Sequence, residues 1–299
     1  MYQAGSLSFE AKYKSKLLDT LRFAISFFDE YGLNWFVASG SCLGAIRHQG
    51  MIPWDDDIDV FMPRSDYEKL LDLKPKMIGS GFDVVSLRDD GYYTNFGKII
   101  NSSTTIWERK EWPFVIGVYI DIFPLDRTEL TTREFTKKYK KYYNSLKKYR
   151  RSITSFSYYS VVSLFREHHY YSAFTRLLDP FFHPFKSLFY KSLLHNEHIF
   201  DKPHGSQLIT PFWMYGLREL YQSKWFDDYC LMPFEDMLVR VPIGYHEYLK
   251  YVYGDYMIPP PIEKRNAHHQ DYITYINLTQ HLDITEVQKR VQAGEKIIY

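Results

Sequence analysis

Hydrophobic and polar positions alternate with two distinct periods along the first 130 residues, and the period changes mark the elements. From Glu10 to Tyr31 the apolar residues Leu17, Leu18, Leu21, Ile25 and Phe28 recur at helical spacing, and Gly32 supplies a stop. "LNWFVAS" then reads as a short buried strand, and "GSCLGAIRHQG" as a tight turn entering a short helix. "DIDVFMP" predicts a second strand ended by Pro63, and "RSDYEKLLDL" a helix capped by Ser65 or Asp66. "FDVVSLRD", "NFGKIINSSTTIWE" and "GVYIDIF" predict three more strands, the last ending at "PLD". This order predicts an α+β fold: a mixed β-sheet core with flanking helices.

The pattern shifts at Thr131. "TTREFTKKYKKYYNSLKKYRR" carries nine Lys or Arg against one Glu, with Phe135, Tyr139, Tyr142, Leu146 and Tyr149 three or four apart. That is an amphipathic basic helix. Residues 152–200 are aromatic-rich and read as further helices broken at Pro180 and Pro184. A hairpin near Met237–Val241 and a helix over Tyr245–Tyr253 follow in a largely helical C-terminal part. Three segments are expected: a catalytic core at 1–130, a basic, aromatic helical insertion at 131–210, and a C-terminal block at 211–299 that packs on the core.

Composition narrows the classes. Of 299 residues 45% are hydrophobic, enough for a sizeable core, so disorder is not expected. The net charge of +1 gives no global pull toward nucleic acid. Two cysteines without a CxxC pair argue against a disulfide framework or a structural zinc site and fit a reducing compartment. No apolar leader and no run of 18 apolar residues is visible, so the expected location is cytoplasmic, with peripheral contact at the inner membrane face as an extension. The basic helix fits either a solvated face or docking to an anionic membrane, where each basic residue contributes roughly 1 kcal/mol.

The chemistry is concentrated in "IPWDDDIDVF", Ile52 to Phe61. On a strand, Asp57 and Asp59 point the same way with Cα atoms about 6.6 Å apart, while Ile58 and Val60 face the core. Converging carboxylates next to apolar positions need a compensating charge, and Mg²⁺ or Mn²⁺ suits them; the plain alternative is an acidic surface turn after Pro53. Asp121, between Ile120 and Ile122 in an apolar strand, supplies a third acid; Asp126, after Pro124, reads as a turn or cap residue and is the fallback. Three such carboxylates fit metal-assisted phosphoryl transfer. Upstream, Gly40 and Ser41 stand where backbone N–H groups at a helix start can meet phosphate, and Arg47 offers a fork donor. Lys98 is a lone cation in a strand, facing either the phosphates or solvent.

"SGSCLGAIRHQGMIPWDDDIDVFMPRSDYEKL" closely resembles the signature of the LicD family, whose relatives include fukutin and the fukutin-related protein. "GVYIDIFPLD" and "FEDMLVRVPIGYHEYLKYVYGDYMIPP" resemble its later motifs. The resemblance covers about residues 20–130 and 210–270. It implies a nucleotidyltransferase-like fold and transfer of a phosphorylated group from a nucleotide-diphosphate donor to a glycan. In bacterial members that group is typically phosphocholine from CDP-choline; animal relatives transfer ribitol phosphate from CDP-ribitol. Expected acceptors are teichoic acid, lipopolysaccharide or a capsule precursor. The match implies metal-ligand roles for Asp57, Asp59 and Asp121, a phosphate turn at Gly40 and Ser41, and a supporting role for Asp55. Asp121 is the expected proton acceptor, with Asp55 second.

Lesser signals are weighed against packing. Glu235 and Asp236 orient substrate or cap a loop. Trp54, Trp107, Trp112 and Trp213 are available to a quaternary ammonium, with Trp213 as the candidate. His268 and His269 are site or surface histidines; His168 and His169 read as solvated. A DxD glycosyltransferase and a glycan-binding adaptor without catalysis are the competing classes. The Gly-Ser turn argues against the first, and the three intact acids against the second.

Overall fold

The computed structural model describes residues 8–155, 158–166, 168–200, 202, 204–211, 216–265 and 273–298. The chain opens with α1 (Phe9–Glu30), capped by the Ser8 hydroxyl accepting from the Ala11 N–H. Its apolar spacing buries Tyr13, Leu17, Leu21, Ala24, Phe27 and Phe28, and Gly32 takes a left-handed φ of 62° that turns the chain away. Then come β1 (Phe36–Val37), α2 (Ser39–His48), β2 (Asp59–Pro63), α3 (Arg64–Asp72), β3 (Phe82–Val85), β4 (Gly97–Trp107) and β5 (Ile116–Thr128).

Two expectations need correcting. Neither Ser65 nor Asp66 caps α3, because the helix starts at Arg64, directly out of Pro63, with no side-chain cap. β5 does not end at Phe123; it runs through Pro124 to Thr128 because β2 and then a later strand pair with it.

The helical segment comprises α4 (Thr132–Ile153), α5 (Tyr158–Arg166), α6 (Tyr170–Leu178), a 3-10 stretch Asp179–Phe185 and α7 (Lys186–Glu197). Thr131 and Glu134 close a reciprocal capping box at the start of α4. The remainder holds β6 (Gln207–Ile209), β7 (Tyr221–Gln222), β8 (Tyr229–Phe234), β9 (Met237–Pro242), α8 (Tyr245–Tyr253), β10 (Tyr275–Asn277), α9 (Ile284–Gln292) and β11 (Ile297–Ile298). The C-terminal part is therefore mixed rather than mainly helical.

The main sheet runs β1-β2-β5-β4-β10-β11, with β3 also on β4 and β6-β7 extending from β5. β2 and β5 are parallel, whereas β4 is antiparallel to β5. The β4–β5 register slips between Asn101 and Ile106. Gly117 sits at that irregularity, where a Cβ would come within 1.9 Å of the Asn101 carbonyl oxygen. One apolar core reaches from Tyr13 to Leu278 and includes Ile120, Leu146 and Val241, so all three sequence segments share it. Many of the aromatics pack on one another: Phe61, Tyr221, Phe226 and Tyr248 meet at centroid distances of 5.2 to 6.1 Å. Among the described residues no helix is long and apolar enough to cross a membrane.

Candidate functional site

The site is built where β2 begins. Parallel pairing places Asp59 opposite Asp121, and antiparallel pairing places Lys98 opposite Asp121 on the other side. The three side chains thus form a row across β2, β5 and β4. Ile58 and Val60, on the alternate positions, are fully buried in the core. Asp57, just before the strand, joins them: carboxylate oxygens of Asp57, Asp59 and Asp121 all lie within 4.8 Å of one another. Asp55, Asp56 and Asp57 form a second such group.

Electrostatics follow from this crowding. Burial, and then repulsion from Asp57, Asp121 and Asp55, pushes the Asp59 carboxyl well above the usual aspartate range, with Lys98 opposing. Lys98 is buried; its ammonium donates to Asp121 Oδ1 at 2.7 Å and stands 3.5 Å from Glu108. It also lies 3.3 Å from the Tyr119 ring centroid. Burial alone would raise Glu108, but Lys98 and hydrogen bonds from Tyr119 and Tyr93 together hold it below the usual range. Tyr13, buried from α1 beside this centre, is pushed up by desolvation and then by Asp56 and Asp57.

Helix α2 frames the opposite side. Ser39 has φ 45°, a left-handed strain of about 1–3 kcal/mol for a non-glycine residue. Its N–H donates to the Tyr248 hydroxyl of α8 at 2.9 Å. The buried Ser41 hydroxyl accepts from the Asp59 N–H at 2.9 Å, tying the helix start to the acidic strand. Gly40 faces Asp55: a Cβ there would lie 2.6 Å from Asp55 Oδ2. Arg47 leaves the same helix toward the C-terminal block, donating to the Tyr256 carbonyl at 2.7 Å. Its guanidinium and that of Arg265 lie 5.9 and 4.7 Å from the Trp54 ring centroid. Burial, and then the charge of Arg265, lowers the Arg47 pKa; burial followed by Arg47 lowers that of His48.

The structure therefore brings Asp57, Asp59, Asp121 and Lys98 into one centre, with Asp55, Gly40 and Ser41 at its edge. Arg47 sits beside Trp54, next in sequence to Asp55. Asp126 is not a turn or cap residue: it is fully buried on β5 and held by Arg64 at 2.6 and 3.1 Å. Glu235 and Asp236 clamp the β8–β9 turn to α1 through Lys14 and Arg22 at 2.7 and 2.8 Å. Trp107 is buried, donating to the Trp112 carbonyl. Trp213, His268 and His269 lie outside the described residues. Sequence reasoning missed the buried Asp56 and Glu108. Asp56 was in view within the acidic run. Glu108 carried no signal, because the register slip after Asn101 breaks the alternation that would link it to Lys98.

A divalent cation fits this donor set. Two carboxylate clusters share Asp57, one buried lysine meets Asp121 and Glu108, and two of the three carboxylates converging on β2 and β5 are themselves buried, where an uncompensated anion is costly. Oxygen-only donors of this kind suit Mg²⁺ or Mn²⁺.

Fold and site together define an α/β protein whose acidic centre is framed by two parallel strands and a helix start. Residues 32–163 match the family model described as LicD/FKTN/FKRP, nucleotidyltransferase domain. The lipopolysaccharide cholinephosphotransferase LicD of Haemophilus influenzae is 28% identical over 245 residues, covering 81% of this chain and 88% of that protein. An uncharacterized protein of Rickettsia prowazekii is 38% identical over 52 residues, 17% of this chain and 20% of its own length.

Proposed function

We propose that the protein transfers phosphocholine from CDP-choline to a hydroxyl of a cell-surface glycan, lipopolysaccharide in the first instance. The observation that carries the reading is the meeting of Asp57, Asp59 and Asp121 within 4.8 Å beside the start of α2. Its substrate comes from the similarity over most of the chain to a lipopolysaccharide cholinephosphotransferase. The nucleotidyltransferase-like character rests on the family description.

Asp57, Asp59 and Asp121 would hold Mg²⁺ or Mn²⁺, which when bound supplies positive charge for the donor pyrophosphate and the departing phosphate. The chain's own groups do the rest. The Gly40 and Ser41 N–H groups in the first turn of α2, with the Ser41 hydroxyl, receive donor phosphate oxygens. Arg47 and Arg265, both against Trp54, add positive charge on the leaving-group side. The glycan hydroxyl oxygen attacks the phosphorus that bears choline. The bond from that phosphorus to the bridging oxygen breaks, CMP leaves with the bridging oxygen, and the hydroxyl proton passes to Asp121. Lys98, bonded to Asp121 Oδ1, orients that carboxylate.

The test is CMP release from a panel of CDP-linked donors with Mg²⁺, with and without lipopolysaccharide or teichoic acid. CDP-choline should be consumed, acceptor should stimulate release, and Asp57→Ala should abolish it. Preference for a CDP-linked polyol would replace phosphocholine as the transferred group. Consumption of nucleotide sugars alone would replace the reading with a glycosyltransferase.

A further inference from the structure

The helices after α4 carry apolar side chains outward. Tyr171 is 75% exposed, Phe174 60%, Phe181 70% and Leu188 62%, with Leu177 and Phe185 also in the open. These six recur every three or four residues through α6, the 3-10 stretch and α7, so exposed apolar side chains run the length of the segment. The other side of the segment is already used. Ala173, Asp179, Leu193 and Asn196 are buried, and the Arg151 guanidinium of α4 covers the Phe182 ring at 3.9 Å. An apolar patch of this extent marks an interaction surface.

Its border says which kind. Beside Tyr171 opens a cavity of about 310 Å³, lined by Trp112, Tyr143, Lys147 and Arg150 among others. Of the two acids in its wall, Asp179 is spent on Arg151 at 2.7 Å and Arg176 at 3.7 Å, and Glu111 stands 3.9 Å from Arg109. Among the described residues neither Lys147 nor Arg150 has a carboxylate partner; Arg150 donates to the Tyr93 carbonyl at 2.6 Å and lies 5.5 Å from the Trp112 ring centroid. α4 as a whole is basic, with nine Lys or Arg from Arg133 to Arg151, Lys147 and Arg150 among them, against Glu134. Aromatic side chains flanked by cations with spare charge are the pattern of a helix that lies in the interface of an anionic bilayer.

We propose that the outward face of α6, the 3-10 stretch and α7 docks onto an anionic lipid surface, its exposed aromatic side chains entering the headgroup region and the Lys147–Arg150 cavity seating a lipid phosphate. The cavity is joined to the acidic centre by direct contacts: Trp112 stacks on Tyr93 at 4.3 Å, Tyr93 bonds Glu108, and Glu108 neighbours Lys98. Docking would therefore hold the acidic centre near the membrane. The surface stands on its own observations and not on the proposed transfer.

The test is co-sedimentation of the full chain with phosphatidylcholine vesicles, pure or with about one-third phosphatidylglycerol, without nucleotide, metal or glycan. Failure of the transferase reading leaves this result untouched, and the reverse holds. Partitioning should be at least about tenfold stronger on the anionic vesicles. Phe174→Ser with Phe181→Ser, both at exposed positions and checked for folding by a thermal melt, should lower it by about tenfold or more. Lys147→Gln should lower it severalfold on anionic vesicles only. The proposal is overturned if the wild type stays in the supernatant, or if the serine variant sediments like the wild type. It is also overturned if light scattering finds a dimer that the serine variant dissolves while neither binds vesicles, which would make this face a contact between copies.

Discussion

Replacing Asp59 by Asn should stabilise the metal-free protein and reduce the further stabilisation that a divalent cation gives. Asp59 shares a 4.8 Å neighbourhood with Asp57 and Asp121. Two unit charges at that separation repel by about 3.5 kcal/mol at an effective dielectric constant near 20. Lys98, 2.7 Å from Asp121 Oδ1, offsets part of this. Protonation of Asp59 caps the rest, since its folded pKa is already raised by burial and by its acidic neighbours. A net gain of about 1–3 kcal/mol is expected for Asp59→Asn in EDTA at pH 7. The pH dependence has a definite sign. A carboxyl with a raised folded pKa contributes stability that is fully present below its unfolded value and lost as pH rises through the folded value. The wild type should therefore approach the variant in stability as the pH is lowered toward the ordinary aspartate range, and fall behind as it rises. With Mg²⁺ or Mn²⁺ at 100 times its dissociation constant, the wild type gains about 2.7 kcal/mol by mass action, and the variant, lacking one ligand, gains less. Urea unfolding in EDTA and in metal measures both arms. A variant less stable than the wild type in EDTA, or an equal metal shift in both proteins, would refute the reasoning.

Three further outcomes are expected. Arg64→Met strands Asp126, fully buried on β5, without its bidentate partner, and should cost about 3–5 kcal/mol in urea unfolding; adding Asp126→Asn should recover much of that. Gly40→Ala drives a methyl to 2.6 Å from Asp55 Oδ2, so CMP release should fall by about tenfold to a hundredfold while the melting temperature moves by only a few degrees, read by kinetics beside a thermal melt. Thr131→Ala opens the capping box of α4 and should cost about 1 kcal/mol by urea unfolding, with CMP release unchanged.

Local periodicity was a good guide wherever an element buries one face. α1 and α4 follow their apolar spacing within a residue or two at each end; Asp57 and Asp59 do converge, but not by strand alternation, because β2 begins only at Asp59 and Asp57 reaches the centre from the segment before it. It failed where the partner lay far along the chain. Asp126 follows a proline and looks like a turn, yet β6, some eighty residues later, pairs with that stretch and Arg64 neutralises the acid. Ser65 and Asp66 look like caps, yet Pro63 leads straight from strand to helix and leaves them inside it. Glu235 and Asp236 lie in a stretch resembling a family motif, but their charges are used on α1.

The chain by itself determined which residues could carry chemistry: an acidic run entering a strand, a lone acid within another apolar strand, and a Gly-Ser helix start. Those features are local, written in alternation and composition within ten or so residues. Only the tertiary structure decided that β5 lies parallel to β2 in the register that sets Asp121 against Asp59, that Lys98 closes the row from β4, and that Tyr248 of α8 receives the Ser39 N–H. The physical reason is that strand neighbours and register are chosen by burial of the whole core, across separations of tens of residues, whereas periodicity reports only which way each side chain faces.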